Sequence, residues 1–530
     1  MLADPNRSPP ASVSPGRGRP KPKAYSPQPT RVGASARLRA RAVCVPVVLR
    51  PMLSVKRGVS MASMASMMRT DAPTGREIRR YLACVLAVLV WTTGGVPTTA
   101  QAQAPDRIER HRVPADFMSY LGAQWLERPE RVQEEQPEAV LDAMGLGPGD
   151  VAADIGCGSG YYARRMARRV APEGRVYCVD IQQEMLDIMQ ELTDRDGVTG
   201  IVPVLGDVDD PKLPAGEVDW IILADVYHEM SEFEAMLAGM RASLAPGGRV
   251  ALLEYRIEDG TGDNLKSDHA MSVRQVLAEW LPAGFALADL HEFLPGQHLF
   301  IMKVAGDTEV PGDPIVNLDL FEAVEQGLVE AEAVGAGDAS VTVRIRNIGD
   351  DKLLVTMPVG VSFQSADNAR DMVSRRDAAI RLFDGEWHDW VVRSVGRQQG
   401  RPAAGSGDPF TIARPASLPT LNDLMYVMQV GTYRVADAPL QYVPRVHGVE
   451  QAAVWIAEAD PSYDDIAAAV ADPRMPAPYA VAFALVYCDL AGIDVTGTRI
   501  WEDRAQVFGG LRDPGLNAWY QLKTAGRIQP

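Results

Sequence analysis

Cysteine is scarce in this chain: five in 530 residues, at Cys44, Cys84, Cys157, Cys178 and Cys488. The first two fall in an amino-terminal leader, and the remaining three make no disulfide framework and show no zinc spacing. Cys157 and Cys178 therefore read as small packing residues. Clustered positive charge is also missing outside the leader. Residues 1–104 hold 16 Lys and Arg against 3 Asp and Glu, a net +13, so the overall charge of −16 leaves −29 for the remainder. An acidic body argues against nucleic acid as a partner, because phosphate contacts need gathered Lys and Arg. The apolar run Tyr81–Trp91 is eleven residues long, short of the ~20 that span a bilayer.

What is present begins with length. A chain of 530 residues exceeds a single domain. Its first sixty residues are rich in Pro, Arg, Ser and Gly without apolar periodicity. Arg76, Arg79 and Arg80, the apolar run and Ala100-Gln-Ala102 then make a basic stretch, a short greasy segment and a small-x-small site. That is the form of a secretory signal peptide, with cleavage expected after Ala102, export to a periplasmic or extracellular compartment, and no stable membrane span afterwards. An uncleaved anchor is the alternative. The expected divisions are a leader over 1–104, a domain over 105–305, a linker over 306–320, a β-sandwich over 321–445 and a helical unit over 446–530.

The chain is organised around Val151-Ala-Ala-Asp-Ile-Gly-Cys-Gly-Ser-Gly160 and the helical stretch Tyr161–Val170. An apolar strand breaking into glycines at every second position, then resuming with helical periodicity, is a strand, a tight turn and a helix. A dinucleotide fingerprint, G-x-G-x-x-G/A, would place Gly or Ala at the sixth position counted from Gly156, where Tyr161 stands. Instead Asp154, Gly156, Gly158 and Gly160 match E/D-x-G-x-G-x-G, and the pattern resembles the glycine motif of class I S-adenosylmethionine-dependent methyltransferases.

Downstream residues fall where that resemblance implies, over about residues 115–304. A second strand ends at Asp180, an acid suited to ribose hydroxyls, and a third ends in Gly206-Asp207, the acid implied to hold the adenine amino group. A fourth strand ends at Asp225 and a fifth at Glu254. Alternating strands and helices make an α/β, Rossmann-like, doubly wound and mostly parallel sheet of seven strands. The resemblance implies S-adenosyl-L-methionine as cofactor, held by Asp154, Gly156, Cys157, Gly158, Gly160, Asp180, Ile181, Gly206, Asp207 and Asp225.

Ligands of such sheets lie beyond the carboxyl ends of the strands. That edge also gathers His228 and Glu229, the hairpin Leu294-Pro-Gly-Gln297 with His298, and Asp268-His269 in a Gly- and Asp-rich segment that could be a lid. Methyl transfer from a sulfonium depends chiefly on positioning, and a hydroxyl acceptor would benefit from a base. His228 and His269, with Glu254, are the catalytic candidates, although structural hydrogen bonding explains a loop histidine equally simply. His228, Glu229, Asp268, His269 and His298 around a divalent metal assisting a diol-type acceptor are the alternative. The reading assigns no metal and takes a small molecule as acceptor.

In the second half, Ser340–Asn347 and Lys352–Phe363 read as a hairpin, with further strand-like runs at Ala378–Phe383, Trp387–Val395 and Leu424–Gln429. No chemistry-bearing motif stands there. Two other functions stay open at this point: an NAD(P)-dependent oxidoreductase, and an exported binding protein that kept the fold. The latter has a physical motive, since the donor is made in the cytosol.

Overall fold

The apolar run Val151–Ile155 forms β1, and two strands on one side and four on the other join it in one twisted sheet. The structure, a computed structural model, describes residues 113–308, 313–415, 419–433, 435 and 441–526. The expected leader and cleavage site lie outside these residues. Ahead of β1 come α1 (Arg131–Glu135) and α2 (Pro137–Met144). After it follow α3 (Tyr161–Val170), β2 (Arg175–Asp180), α4 (Gln183–Arg195), β3 (Ile201–Leu205), β4 (Val218–Ala224), α5 (Phe233–Ser243) and β5 (Leu244–Arg256). A two-residue β6 (Ala270–Met271), α6 (Val273–Trp280), β7 (Phe285–His291) and β8 (Gln297–Val304) complete the sheet.

The strand order is β3-β2-β1-β4-β5-β8-β7, with β6 paired to β5 off that path. Pairings are parallel except those of β8, which runs antiparallel to β5 and β7. Because β7 is parallel to β5, the turn between β7 and β8 lies on the same edge as the glycine turn. Alternation along the strands feeds two cores. Ile221 and Leu223 pack into one cluster with Ala153 and Leu252, while Trp220 and Ile222 pack into the other with Ala152 and Leu253. Period-two side chains buried on both faces are what a doubly wound sheet requires.

The second half differs from the expected sandwich. β10 (Val329–Gly335), β11 (Ser340–Asn347), β13 (Ser362–Ser365), β14 (Met372–Ser374), β16 (His388–Gly396) and β17 (Pro409–Ala413) close into a six-stranded barrel. Closure comes from β10 meeting β17, as Ala333 pairs with Phe410. Barrel and sandwich strands share the same in-out alternation, so the pattern alone does not separate them. The Ser340–Phe363 hairpin is also corrected. β11 pairs with β10 and β16, whereas β12 (Lys352–Met357) leaves for a three-stranded sheet with β9 (Ile315–Asp319) and β15 (Ala378–Leu382).

Leu424–Gln429 is helical, within α7 (Pro419–Val430). Leu424, Met425 and Met428 are fully buried in a core shared with α8 (His447–Ala459) and α9 (Ala477–Leu490). A short run that is apolar on all sides carries no period from which to tell strand from helix. Among the described residues no helix is long and apolar enough to cross a membrane.

Candidate functional site

The turn after β1 takes its shape from glycines with positive φ: Gly156 at 70°, Gly158 at 50° and Gly160 at 77°. A Cβ on Gly156 would lie 2.3 Å from Val226 Cγ2, and one on Gly158 would lie 2.7 Å from Leu126 Cδ1. Backbone conformation and lack of space therefore both exclude side chains here. The N–H groups of Gly156 and Cys157 donate to the Val179 carbonyl at 2.8 and 3.0 Å. One feature overturns the reading of the cysteines: Cys157 in the turn and Cys178 on β2 form a disulfide, with Cα atoms 5.5 Å apart. Parallel neighbours β1 and β2 bring them together, which a separation of 21 residues does not reveal.

The expected cofactor acids sit at successive strand tips but in different surroundings. Asp180 ends β2, and its carboxylate accepts from Gly158 N–H and Gln182 N–H, both at 2.9 Å. Burial raises its pKa against those backbone bonds. Asp154 points the other way, accepting from Ala163 N–H at 2.9 Å inside the start of α3; burial pushes it up to about 7. Asp207 is exposed beyond β3 and pairs with Lys212 at 2.8 Å, while Gly206 N–H donates to the Asp180 carbonyl. Ile181 and Val208, 40% and 53% exposed, leave two apolar side chains at the tips of paired strands beside these acids. Val208 was not singled out in the sequence; its place next to Asp207 was the available clue. A turn stripped of Cβ atoms, a carboxylate already bonded to that turn and two open apolar residues fit the implied S-adenosylmethionine, which Asp180, Ile181 and Val208 would help to hold.

Asp225 belongs to a second cluster. It follows β4 in the left-handed region at φ 54°, and Gln297 Nε2 donates to both of its carboxylate oxygens, at 2.8 and 2.7 Å. Burial, then the charges of Glu135 and Glu254, raise its pKa well above the usual range. Glu135 itself lies on α1 in a buried ion pair with Arg131 at 2.6 Å, four residues apart on the same helix.

Glu254, fully buried on β5, accepts from His228 N–H at 3.1 Å and meets His228 Nδ1 at 2.7 Å. Burial works to depress the His228 imidazolium, but Glu254, Glu229 and Asp225 outweigh it and push it up to about 9. The His269 ring lies 4.9 Å from that of His228, and His269 Nδ1 has its own carboxylate, Asp268, at 2.7 Å. Asp268 also accepts from the hydroxyl of Tyr442 at 2.9 Å, so the second half of the chain reaches into the cluster. Beside it a small cavity of about 60 Å3 is lined by His228, Asp268, Ser272 and Gln275 and by Tyr426 and Gln429 of α7. The three catalytic candidates are thus gathered. His298 is not with them, being held by Glu292 at 2.8 Å and Glu258 at 3.0 Å. Among the described residues no group of three His, Cys, Asp or Glu is placed to hold a metal ion.

Residues 152–248 match a family model described as a methyltransferase domain. A ubiquinone/menaquinone biosynthesis C-methyltransferase UbiE of Cupriavidus taiwanensis is 33% identical over 112 residues, 21% of this chain and 45% of that protein. Its counterpart in Burkholderia vietnamiensis is 32% identical over 149 residues, 28% of this chain and 59% of that protein. An uncharacterized 37.1 kDa transposon protein of Streptomyces fradiae is 33% identical over 115 residues, 22% of this chain and 33% of its own length. The chain spans about half the length of the curated relatives it matches. A solved SAM-dependent methyltransferase of Aquifex aeolicus is covered along 100% of its chain by 36% of this one, at 23% identity and a TM-score of 0.34. Residues 152–248, from β1 into β5, thus resemble a methyltransferase domain, and S-adenosylmethionine is the cofactor that the likeness supports.

Proposed function

We propose that the chain transfers a methyl group from S-adenosylmethionine to a small-molecule acceptor, and that His228, oriented by Glu254, takes the proton the acceptor gives up. The buried His228–Glu254 pair carries this reading, because it stands at the tips of β4 and β5, beside the strand that ends in the glycine turn. When bound, the cofactor supplies a methyl group on a positively charged sulfur, a donor that needs no further activation. The glycine turn and Asp180 fix its position, and position is where most of the acceleration in such a transfer arises. Glu254 holds the imidazole through Nδ1 and stabilises the positive charge that His228 gains. The cavity walled by α7 supplies hydroxyl and amide groups for a polar part of the acceptor.

Export is part of the proposal. The Cys157–Cys178 bridge supports it, since cytosolic thiols are kept reduced. A reporter fused to the leader, together with thiol alkylation in intact cells, tests it; alkylatable Cys157 and Cys178 in native cells would overturn it.

The enzymatic reading is tested by equilibrium binding of S-adenosylhomocysteine beside NAD. Saturable binding of the former is expected, reduced roughly tenfold or more in Asp180→Ala by the loss of a charge-assisted hydrogen bond. Binding of NAD alone, or of neither, overturns it. A search for labelled products after incubating extracts with methyl-labelled donor then identifies the acceptor.

A further inference from the structure

A cavity of about 700 Å3, lined by none of Asp154, Asp180 or Asp207, opens between the rim of the sheet and β15. This volume lies within the range that holds a small organic molecule. Its apolar wall comes from both halves of the chain: Leu290 on β7, and Leu354, Ala379 and Ile380 on β12 and β15. Four rings surround that wall: His291 and Phe293 on one side, Phe383 and His388 on the other. Phe293 is 42% exposed although it is a large apolar side chain, and its ring lies 5.8 Å from that of His291.

The charges in the lining are matched with one exception. Asp259 and Glu292 pair with Arg256 at 3.2 and 2.9 Å, Glu258 pairs with His298 at 3.0 Å, and Asp384 pairs with His388 at 2.7 Å. Arg256 is shared by Asp259 and Glu292, and His298 by Glu258 and Glu292, so every lining carboxylate has a basic partner and none of them is paired with Arg381. Arg381 has no carboxylate among the described residues: it donates to the Leu290 carbonyl and lies 4.7 Å from the Phe383 ring. His291 adds no second positive charge, because burial lowers its pKa and Arg381 lowers it further. The wall is therefore apolar and ring-rich, and Arg381 is the lining guanidinium without a carboxylate partner among the described residues, its Nε buried and unbonded; a guanidinium pairs with planar carboxylates in two-pronged fashion.

We propose that this cavity is a second ligand site, separate from the cofactor trough, and that it takes a small aromatic carboxylate whose ring lies among Phe293, His291 and Phe383 with its anion on Arg381. The site does not rest on the methyltransferase reading, and it gives the join between the two halves a function that no motif announced.

The probes are naphthoate and its uncharged analogue naphthalenemethanol, measured by calorimetry on the full chain, beside S-adenosylhomocysteine. Wild type is expected to bind naphthoate saturably and at least roughly tenfold more tightly than the alcohol, with the margin shrinking at high salt. Arg381→Ala should erase that margin and leave S-adenosylhomocysteine affinity unchanged. Phe293→Ala, a change at an exposed rim position, should weaken both probes alike, and it serves if Arg381→Ala does not fold. Equal affinity of wild type for the two probes, or an undiminished margin in Arg381→Ala, overturns the proposal. Because naphthoate is measured without cofactor, loss of S-adenosylhomocysteine binding alone counts against the enzymatic reading and not against this site.

Discussion

His228 holds its proton against its own burial, and that sets the pH at which it can act. Its imidazolium stays protonated up to about 9 because Glu254 and its acidic neighbours outweigh desolvation. Only neutral imidazole accepts a proton, so methyl transfer to the identified acceptor should rise with pH toward about 9. His228→Gln should lower the rate by roughly 10²–10⁴ and flatten that rise while S-adenosylhomocysteine still binds. An unchanged profile in the variant would exclude His228 as the base. The same shift governs stability. His228 and His298, at about 9 and about 10, lie above the 6.5 of an unperturbed imidazole. Their contribution is complete below pH 6.5 and is lost as pH rises through those values, so melting temperature should fall between pH 7 and 10, and less steeply in His298→Gln. At this scale the sequence was partly readable. The places of His228, Glu254, Asp154, Asp180 and Asp207 at or near strand tips were legible because the strands could be located, whereas the turn of Asp154 toward Ala163 N–H was not. Tyr442–Asp268 was not legible, since it joins residues 174 apart through a tertiary contact, and the i,i+4 spacing of Arg131 and Glu135 marks a helical pair without revealing that it is buried.

Among elements, the glycine turn is the least replaceable. An L residue at the Gly156 φ of 70° costs ~1–2 kcal/mol in backbone strain, before Val226 is displaced. Gly156→Ala should therefore lower both melting temperature and S-adenosylhomocysteine affinity. The disulfide acts on the same turn differently. Closing a span of 21 residues constrains the unfolded chain by ~3 kcal/mol, so Cys157→Ser should lose about that much in denaturant midpoint analysis. Cofactor affinity should stay near wild type, because the N–H bonds to Val179 and Asp180 hold the turn without the bridge. The parallel sheet was legible because each βαβ unit repeats a strand-length and a helix-length pattern. The barrel was not, because its closure is a pairing of β10 with β17 across several intervening strands, and α7 was not, because its buried Leu421, Leu424, Met425 and Met428 show helical spacing only when the residues before the apolar run Leu424–Met428 are taken with it.

For the whole molecule, the question is what holds the barrel and the carboxyl-terminal helices in one arrangement, and Glu450 is central to it. This residue of α8 is fully buried between the guanidinium groups of Arg375 and Arg376, just after β14 of the barrel, with which it forms two ion pairs. Burial alone would raise the carboxyl, yet the two arginines hold it down to about 2. Its stabilising effect is therefore complete above pH 4.5 and is lost as pH falls through 2. Removing one member of a buried charge group costs roughly 3–5 kcal/mol, because the remaining charges stay desolvated and unpaired. Glu450→Gln preserves shape and leaves two buried guanidiniums uncompensated. It should lower stability by about that amount and make the barrel and helices more open to proteolysis. The consequence should extend to the site. Arg445, close to α8, donates to the Ser267 carbonyl at 2.6 Å, and Tyr442 donates to Asp268 at 2.9 Å, so the helical unit reaches the acceptor cavity through both. Methyl transfer in Glu450→Gln should fall while S-adenosylhomocysteine affinity, set by the glycine turn, holds. If cofactor affinity falls in parallel with transfer, the coupling runs through the whole sheet and not through Tyr442 and Arg445. Limited proteolysis and cofactor titration on the same preparation separate the two.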